Sequence, residues 1–174
     1  MRPSRYLLKR AAAFCAAALL VMATSAFAIP QRGQYAPAFK TFAISGQPLS
    51  TEGLKGSVTI LDFWATWCPP CRESIPFLAD LYRKYGKQGL QIIGMNVDEG
   101  GEQTVKAFVD QKRVPYPVVL ASVRIQADYG VRALPVMFVL DRNGVVVEQM
   151  IGFSSYHGRV LESLVKKLLA GAGR

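Results

Sequence analysis

The chain has 174 residues, 51% of them apolar and 19% charged, with no low-complexity tract. This composition excludes a disordered tail, a collagen-like rod and a disulfide-dense miniprotein, and the 146 residues after a basic, Ala-rich opening of 28 make one domain with room for a real core. The formal charge of +9 falls to +5 without the opening's four basic residues, and the others lie in scattered doublets such as Arg83-Lys84 and Lys166-Lys167, which argues against a nucleic-acid partner.

Met1 to Arg10 is basic, Ala11 to Ala23 is an unbroken apolar run, and Thr24-Ser25-Ala26-Phe27-Ala28 ends in an A-x-A pattern. Residues 1–28 therefore read as a secretory signal peptide. Extended to Ile29, the apolar stretch also reaches the minimum length of a membrane helix, so an N-terminal anchor is the alternative. Both readings put the domain of residues 29–174 in the periplasm or otherwise outside the cytoplasm, in contact with the membrane only if the leader is retained. Cys15 leaves with a cleaved leader, which makes Cys68 and Cys71 the domain's one possible pair. A pair two residues apart closes too small a loop to staple a fold, so its purpose is chemical.

From Gln31 to Gly56, Gly, Pro, Ser and Thr predict a short hairpin or irregular lead-in, with Phe39, Phe42 and Ile44 as its apolar contacts. Val58 to Trp64 (VTILDFW) is a β-branched and aromatic run of strand length whose only charged residue is Asp62, and reads as a central strand buried on both faces. After Trp67-Cys68-Pro69-Pro70-Cys71, apolar residues at Ile75, Leu78, Tyr82 and Tyr85 predict a helix that Pro76 kinks and Gly86 to Gly89 stops. Leu90 to Val97 is a second buried strand, Glu102 to Lys112 a helix, Pro117 to Leu120 a short strand and Ser122 to Tyr129 a short helix. Asp141-Arg142-Asn143-Gly144 joins Val136 to Leu140 with Val145 to Ile151 as an antiparallel hairpin, and a last amphipathic helix follows. The order predicts an α/β sandwich of three layers, with a central mixed sheet between helices.

The run Phe63-Trp64-Ala65-Thr66-Trp67-Cys68-Pro69-Pro70-Cys71 resembles the thioredoxin fold in its extracytoplasmic TlpA/ResA-like branch. Ala36-Pro37-Ala38-Phe39 resembles that branch's lead-in, Gly89 to Arg132 its inserted helix and strand, and Leu134-Pro135 its loop facing the cysteines. The resemblance covers nearly all of residues 29–174. It implies a thiol-disulfide oxidoreductase acting on protein disulfides in the reducing direction, for example on apocytochrome c. A membrane thiol reductant would supply the electrons, with no cofactor beyond the Cys68–Cys71 pair. The chain is expected to be a monomer.

Physical chemistry supports the same assignment of roles. At a helix N-terminus, free N–H groups and the dipole stabilise a thiolate at Cys68, the attacking species. Pro69 and Pro70 offer no N–H, which limits that stabilisation and points to a reductant rather than a strong oxidant. Cys71 then resolves the mixed disulfide once a base takes its proton. Asp62 resembles the buried aspartate of thioredoxins, and an unpaired buried carboxylate has the raised pKa this work requires, whereas at a solvent-exposed strand end it would not. Pro135 resembles the family's cis-proline, which would offer the Leu134 backbone to a substrate strand; the alternative is a trans proline that merely opens the next strand. Trp67, Pro69 and Pro70 would rim the site and touch substrate.

Two positions depart from the branch. It more often has Asn where this chain has Asp62, and it frequently has Glu where this chain has Ser74, with Glu73 one position earlier. The departures suggest a proton relay closer to ordinary thioredoxin. Metal binding lacks ligands, since His157 is the sole histidine and falls in Ser154 to Gly158, read as a polar loop. The alternatives are a copper-binding or redox-inactive binding module and a thiol peroxidase.

Overall fold

The computed structural model describes residues 29–171. The expected leader, Cys15 and residues 172–174 lie outside them.

The elements follow in chain order: β1 (Lys40–Phe42), β2 (Pro48–Ser50), β3 (Val58–Trp64), α1 (Pro69–Tyr85), β4 (Leu90–Asn96), α2 (Glu102–Lys112), β5 (Val118–Leu120), α3 (Val123–Asp128), β6 (Val136–Leu140), β7 (Val146–Ile151) and α4 (Ser155–Ala170). Five strands form one sheet in the order β5-β4-β3-β6-β7. β3 runs parallel to β4 and antiparallel to β6, so the sheet is mixed, as the sequence predicts.

Every residue of β3 is buried. Because side chains alternate across a strand, its two faces feed two cores. Ile60 and Trp64 point to the layer of α1, α2 and α4, while Leu61 and Phe63 pack on the lead-in and α3. Aromatic contacts strengthen both sides: Trp64 lies 5.3 Å from Phe108 of α2, and Phe63 lies 5.2 Å from Tyr129 at the end of α3. The Tyr129 hydroxyl donates to the Pro37 carbonyl at 2.9 Å and so ties the lead-in to that layer.

The predicted turn between β6 and β7 is closed by the Asp141 carboxylate, which accepts the Asn143 and Val145 N–H groups at 2.9 Å each, with Gly144 at φ 80°. Pro76 lies inside α1 without ending it.

Two expectations change. Phe42 is 69% exposed rather than a core contact, because the β1–β2 hairpin stands apart from the main sheet, whereas Phe39, Ala43, Ile44 and Leu49 pack on the cores. Ala43 bridges Val119 and so covers the outer edge at β5. His157 lies in the first turn of α4 rather than in a loop, since the Ser154 hydroxyl caps the helix by accepting the His157 N–H at 3.3 Å.

Candidate active site

β3 ends at Trp64, and four residues later Cys68 becomes the N-cap of α1. The two elements place the Cys68–Cys71 pair at the carboxyl end of the central parallel strands, where sheets of this class open to substrates. Pro69 and Pro70 occupy the first two helical positions, where a missing N–H costs nothing. The first donor that reaches the Cys68 Sγ is therefore the Cys71 N–H, at 3.3 Å. The two cysteines are joined as a disulfide with their Cα atoms 5.3 Å apart.

Cys71 is fully buried and Cys68 keeps 3% of its surface exposed, a more closed nucleophile than the sequence suggests. The reason is geometric: the Cys68 sulfur turns inward to its partner while the residues on either side, Trp67 and Pro69, stand out into solvent. Trp67 is 67% exposed. Leu134 packs against the cluster that holds both cysteines, the Leu134–Pro135 peptide bond is cis, and the Pro135 carbonyl accepts the Gly152 N–H at 2.8 Å.

Asp62 sits two residues before Trp64, on the face of β3 that α1 covers, with Gly94 and Met137 as its cross-strand neighbours. It is wholly buried and neither carboxylate oxygen has a hydrogen-bond partner. Burial pushes its pKa up to about 7, because the charged form loses its hydration and gains no counter-charge. The solvent-exposed alternative does not describe this residue.

Ser74 is also fully buried, and its hydroxyl donates to the Cys71 carbonyl at 3.0 Å, so the position where the branch often carries an acid is a structural hydrogen bond here. Glu73 is exposed on the outer side of α1. Arg72 is spent on a cation–π contact, its guanidinium 5.7 Å from the Phe108 ring centroid.

Sequence reasoning missed Asn96 and Asp98. The Asp98 carboxylate accepts the Thr66 N–H and the Asn96 side-chain amide, the latter at 2.8 Å, and the Asp98 N–H donates back to the Asn96 side-chain oxygen at 3.0 Å. This clasp fixes the loop before Cys68 to the end of β4. The available signal was Asn96-Val97-Asp98, two polar residues directly after a buried parallel strand. Beside the clasp lies an open cleft of about 540 Å³ lined by Thr66, Trp67, Val97, Asp98, Glu99 and Thr104.

Residues 32–149 match the AhpC/TSA family. The chain belongs to this family. Among its relatives in the AhpC/TSA family, the thiol-disulfide oxidoreductase ResA of Bacillus thuringiensis strain Al Hakam is 38% identical over 139 residues, 79% of each chain. The thioredoxin-like protein YneN of Bacillus subtilis is 36% identical over 124 residues, 70% of this chain and 72% of that one. A solved thiol:disulfide interchange protein of Chlorobium tepidum superposes with a TM-score of 0.72 at 30% identity, covering 80% of this chain and 98% of the other. This AhpC/TSA member is thus a thiol-disulfide oxidoreductase of the thioredoxin fold.

Proposed function

We propose that the protein is an extracytoplasmic protein-disulfide reductase with Cys68 as nucleophile, Cys71 as resolving thiol and Asp62 as the base between cycles. One observation carries this reading: the redox pair opens α1 directly above a strand whose sole charged residue, Asp62, is buried without a partner. The reduced enzyme attacks a client disulfide through the Cys68 thiolate, forming a mixed disulfide and expelling one client thiolate, which takes a proton from water. Asp62 accepts the Cys71 proton, directly or through one water. The Cys71 thiolate then attacks the Cys68 sulfur, closing the disulfide seen here and releasing the second client thiolate. Two electrons pass to the client, and a membrane thiol reductant returns them.

The reducing direction is favoured because a single backbone donor reaches the Cys68 sulfur, a modest stabilisation of the thiolate compared with strong oxidants. The basic and apolar leader supports an extracytoplasmic site, and the TlpA/ResA-like resemblance supports apocytochrome c among the clients of a monomeric enzyme. Leu134, Pro135, Trp67, Pro69 and Pro70 would receive the client chain, with no metal or further cofactor in the cycle. Insulin reduction by the wild type, lost in Cys68→Ser and arrested as a stable mixed disulfide in Cys71→Ser, is the expected result. Absence of turnover would instead favour a redox-inactive or copper-binding module, and consumption of hydrogen peroxide in its place would favour a peroxidase.

A further inference from the structure

Two side chains near Asp62, and Asp62 itself, carry polar atoms that no protein group satisfies. The Trp64 indole nitrogen, the Tyr116 hydroxyl and both Asp62 oxygens are buried and unpartnered, on residues exposed by 1%, 4% and 0% respectively. Such groups are costly inside a protein unless they serve one another. Gly94 brings them together. It is the direct cross-strand neighbour of Asp62 on β4, and adjacent strands lie only ~4.8 Å apart. A Cβ on Gly94 would stand 3.0 Å from the Trp64 Nε1 and 3.4 Å from the Tyr116 Cε2, the ring carbon adjacent to the one bearing the hydroxyl. The missing side chain leaves room for the Trp64 indole nitrogen, a Val118 methyl at 3.0 Å and the edge of the Tyr116 ring, at the strand position paired with Asp62. Tyr116 is held there edge-on to Tyr82, with ring centroids 6.1 Å apart.

We propose that Tyr116, with the Trp64 indole, is a positioning residue for the reaction: their O–H and N–H donate to the Asp62 carboxylate through one bridging water and set how readily it takes the Cys71 proton. This rests on Asp62 acting as the base. Nothing else on the packed elements competes for that role. α1 offers Cys71, held in the disulfide, Ser74, spent on a carbonyl, and Tyr82, whose ring meets Tyr116 edge-on. β4 offers Gly94 and Asn96, whose amide is engaged by Asp98, and β6 offers Met137. The buried residues of α2 and α4 on this side are apolar, and the Arg72 guanidinium lies over Phe108. The Tyr116 hydroxyl is itself held neutral, first by burial and then by the nearby Asp62 charge, which places the two groups within electrostatic reach.

The test is a carbon-13 NMR titration of the Asp62 carboxyl in the oxidised protein, where Cys71 cannot titrate, with the resonance assigned through Asp62→Asn. Tyr116→Phe removes one oxygen and keeps the ring. Removing a donor to the charged form raises the Asp62 midpoint, by about one pH unit or a tenfold change in proton affinity, and Trp64→Phe moves it the same way. In parallel, urea unfolding should show Tyr116→Phe near neutral at pH 5 and about tenfold less favourable in its folding constant at pH 9, a difference that a purely structural hydroxyl would not make pH-dependent. An unchanged Asp62 midpoint in Tyr116→Phe overturns the proposal. A shifted midpoint that the pH profile of insulin reduction fails to follow upholds only the hydrogen bonding to the carboxylate, and overturns the assignment of Asp62 as base and with it the role of Tyr116 in the reaction.

Discussion

Asp98 holds the backbone N–H of Thr66 with both carboxylate oxygens, Oδ2 at 2.9 Å and Oδ1 at 3.2 Å. The contact spans 32 residues of sequence and joins the end of β4 to the loop that carries Trp67 and Cys68. Charged hydrogen bonds of this kind contribute roughly 1.5–3 kcal/mol, and truncation leaves the Thr66 amide and the Asn96 side chain short of an acceptor. Asp98→Ala should therefore lower the unfolding free energy, measured by urea denaturation, by an amount in that range and reduce kcat/KM for insulin reduction. Asp98→Asn keeps an acceptor oxygen and should lose less of both. Equal behaviour of Asp98→Ala and wild type would show that the loop holds its shape without the clasp.

Burial raises the Asp62 pKa from 3.8 to about 7, and this has a stability consequence whose sign is fixed. Between those values the folded protein binds a proton that the unfolded chain releases, so stability falls as pH rises through the window and is level above it. Asp62→Asn removes the penalty. It should match wild type near pH 3.5 and exceed it by up to about 4 kcal/mol at pH 8, the equivalent of three pH units. The same variant should slow the Cys71 resolution step at neutral pH. Chemical denaturation at the two pH values decides it: a variant no more stable at pH 8 than at pH 3.5, relative to wild type, would mean that the carboxylate finds stabilisation in the fold equal to what it loses from water.

The central sheet was readable because its strands announce themselves. Val58 to Trp64 and Val136 to Leu140 are apolar runs too short for helices and too continuous for half-exposed strands, and both are buried throughout. The site's covalent chemistry was equally plain from Cys68 and Cys71, and Asp62 stood out as the one charge in such a run. What the chain order hid were relations across the sheet. Gly94 looks like any strand glycine until its register with Asp62 is known. Tyr116 precedes a proline in an undistinguished loop, and Asp98 resembles a solvated turn residue until the Thr66 amide is found opposite it. Phe42 and His157 were misjudged for a local reason: a three-residue strand and a helix start carry too little periodicity to reveal where the element runs and which side is inward.

Glu162 links the two long helices of one layer, accepting from the Lys84 ammonium at 2.7 Å and the Tyr85 hydroxyl at 2.8 Å. These hydrogen bonds, with the charge of Lys166, lower its pKa from 4.5 to about 2. The stabilisation is present above the ordinary carboxylate range and lost as pH falls toward 2. Lys84 faces solvent, so the interaction is screened and Glu162→Gln should cost about 1 kcal/mol or less at pH 7. The cost should shrink in 1 M salt and vanish near pH 2. A penalty that persists unchanged under both conditions would assign the loss to packing between α1 and α4 rather than to charge.

Trp67 stands 67% exposed next to the redox pair, with nothing in its own fold to gain from that position. A large aromatic left in solvent beside a reactive centre offers area to an incoming chain at low entropic cost. Trp67→Ala should leave the unfolding free energy within about 0.5 kcal/mol of wild type, as for other surface changes. With insulin as substrate KM should rise severalfold, while a small disulfide such as oxidised glutathione, too short to reach across Trp67 and the adjoining cleft, should be reduced at close to the wild-type rate. The comparison separates binding from chemistry. If the variant loses both activities alike, Trp67 acts on the reacting sulfurs themselves, whereas loss of stability would show that its exposed ring supports the loop from outside.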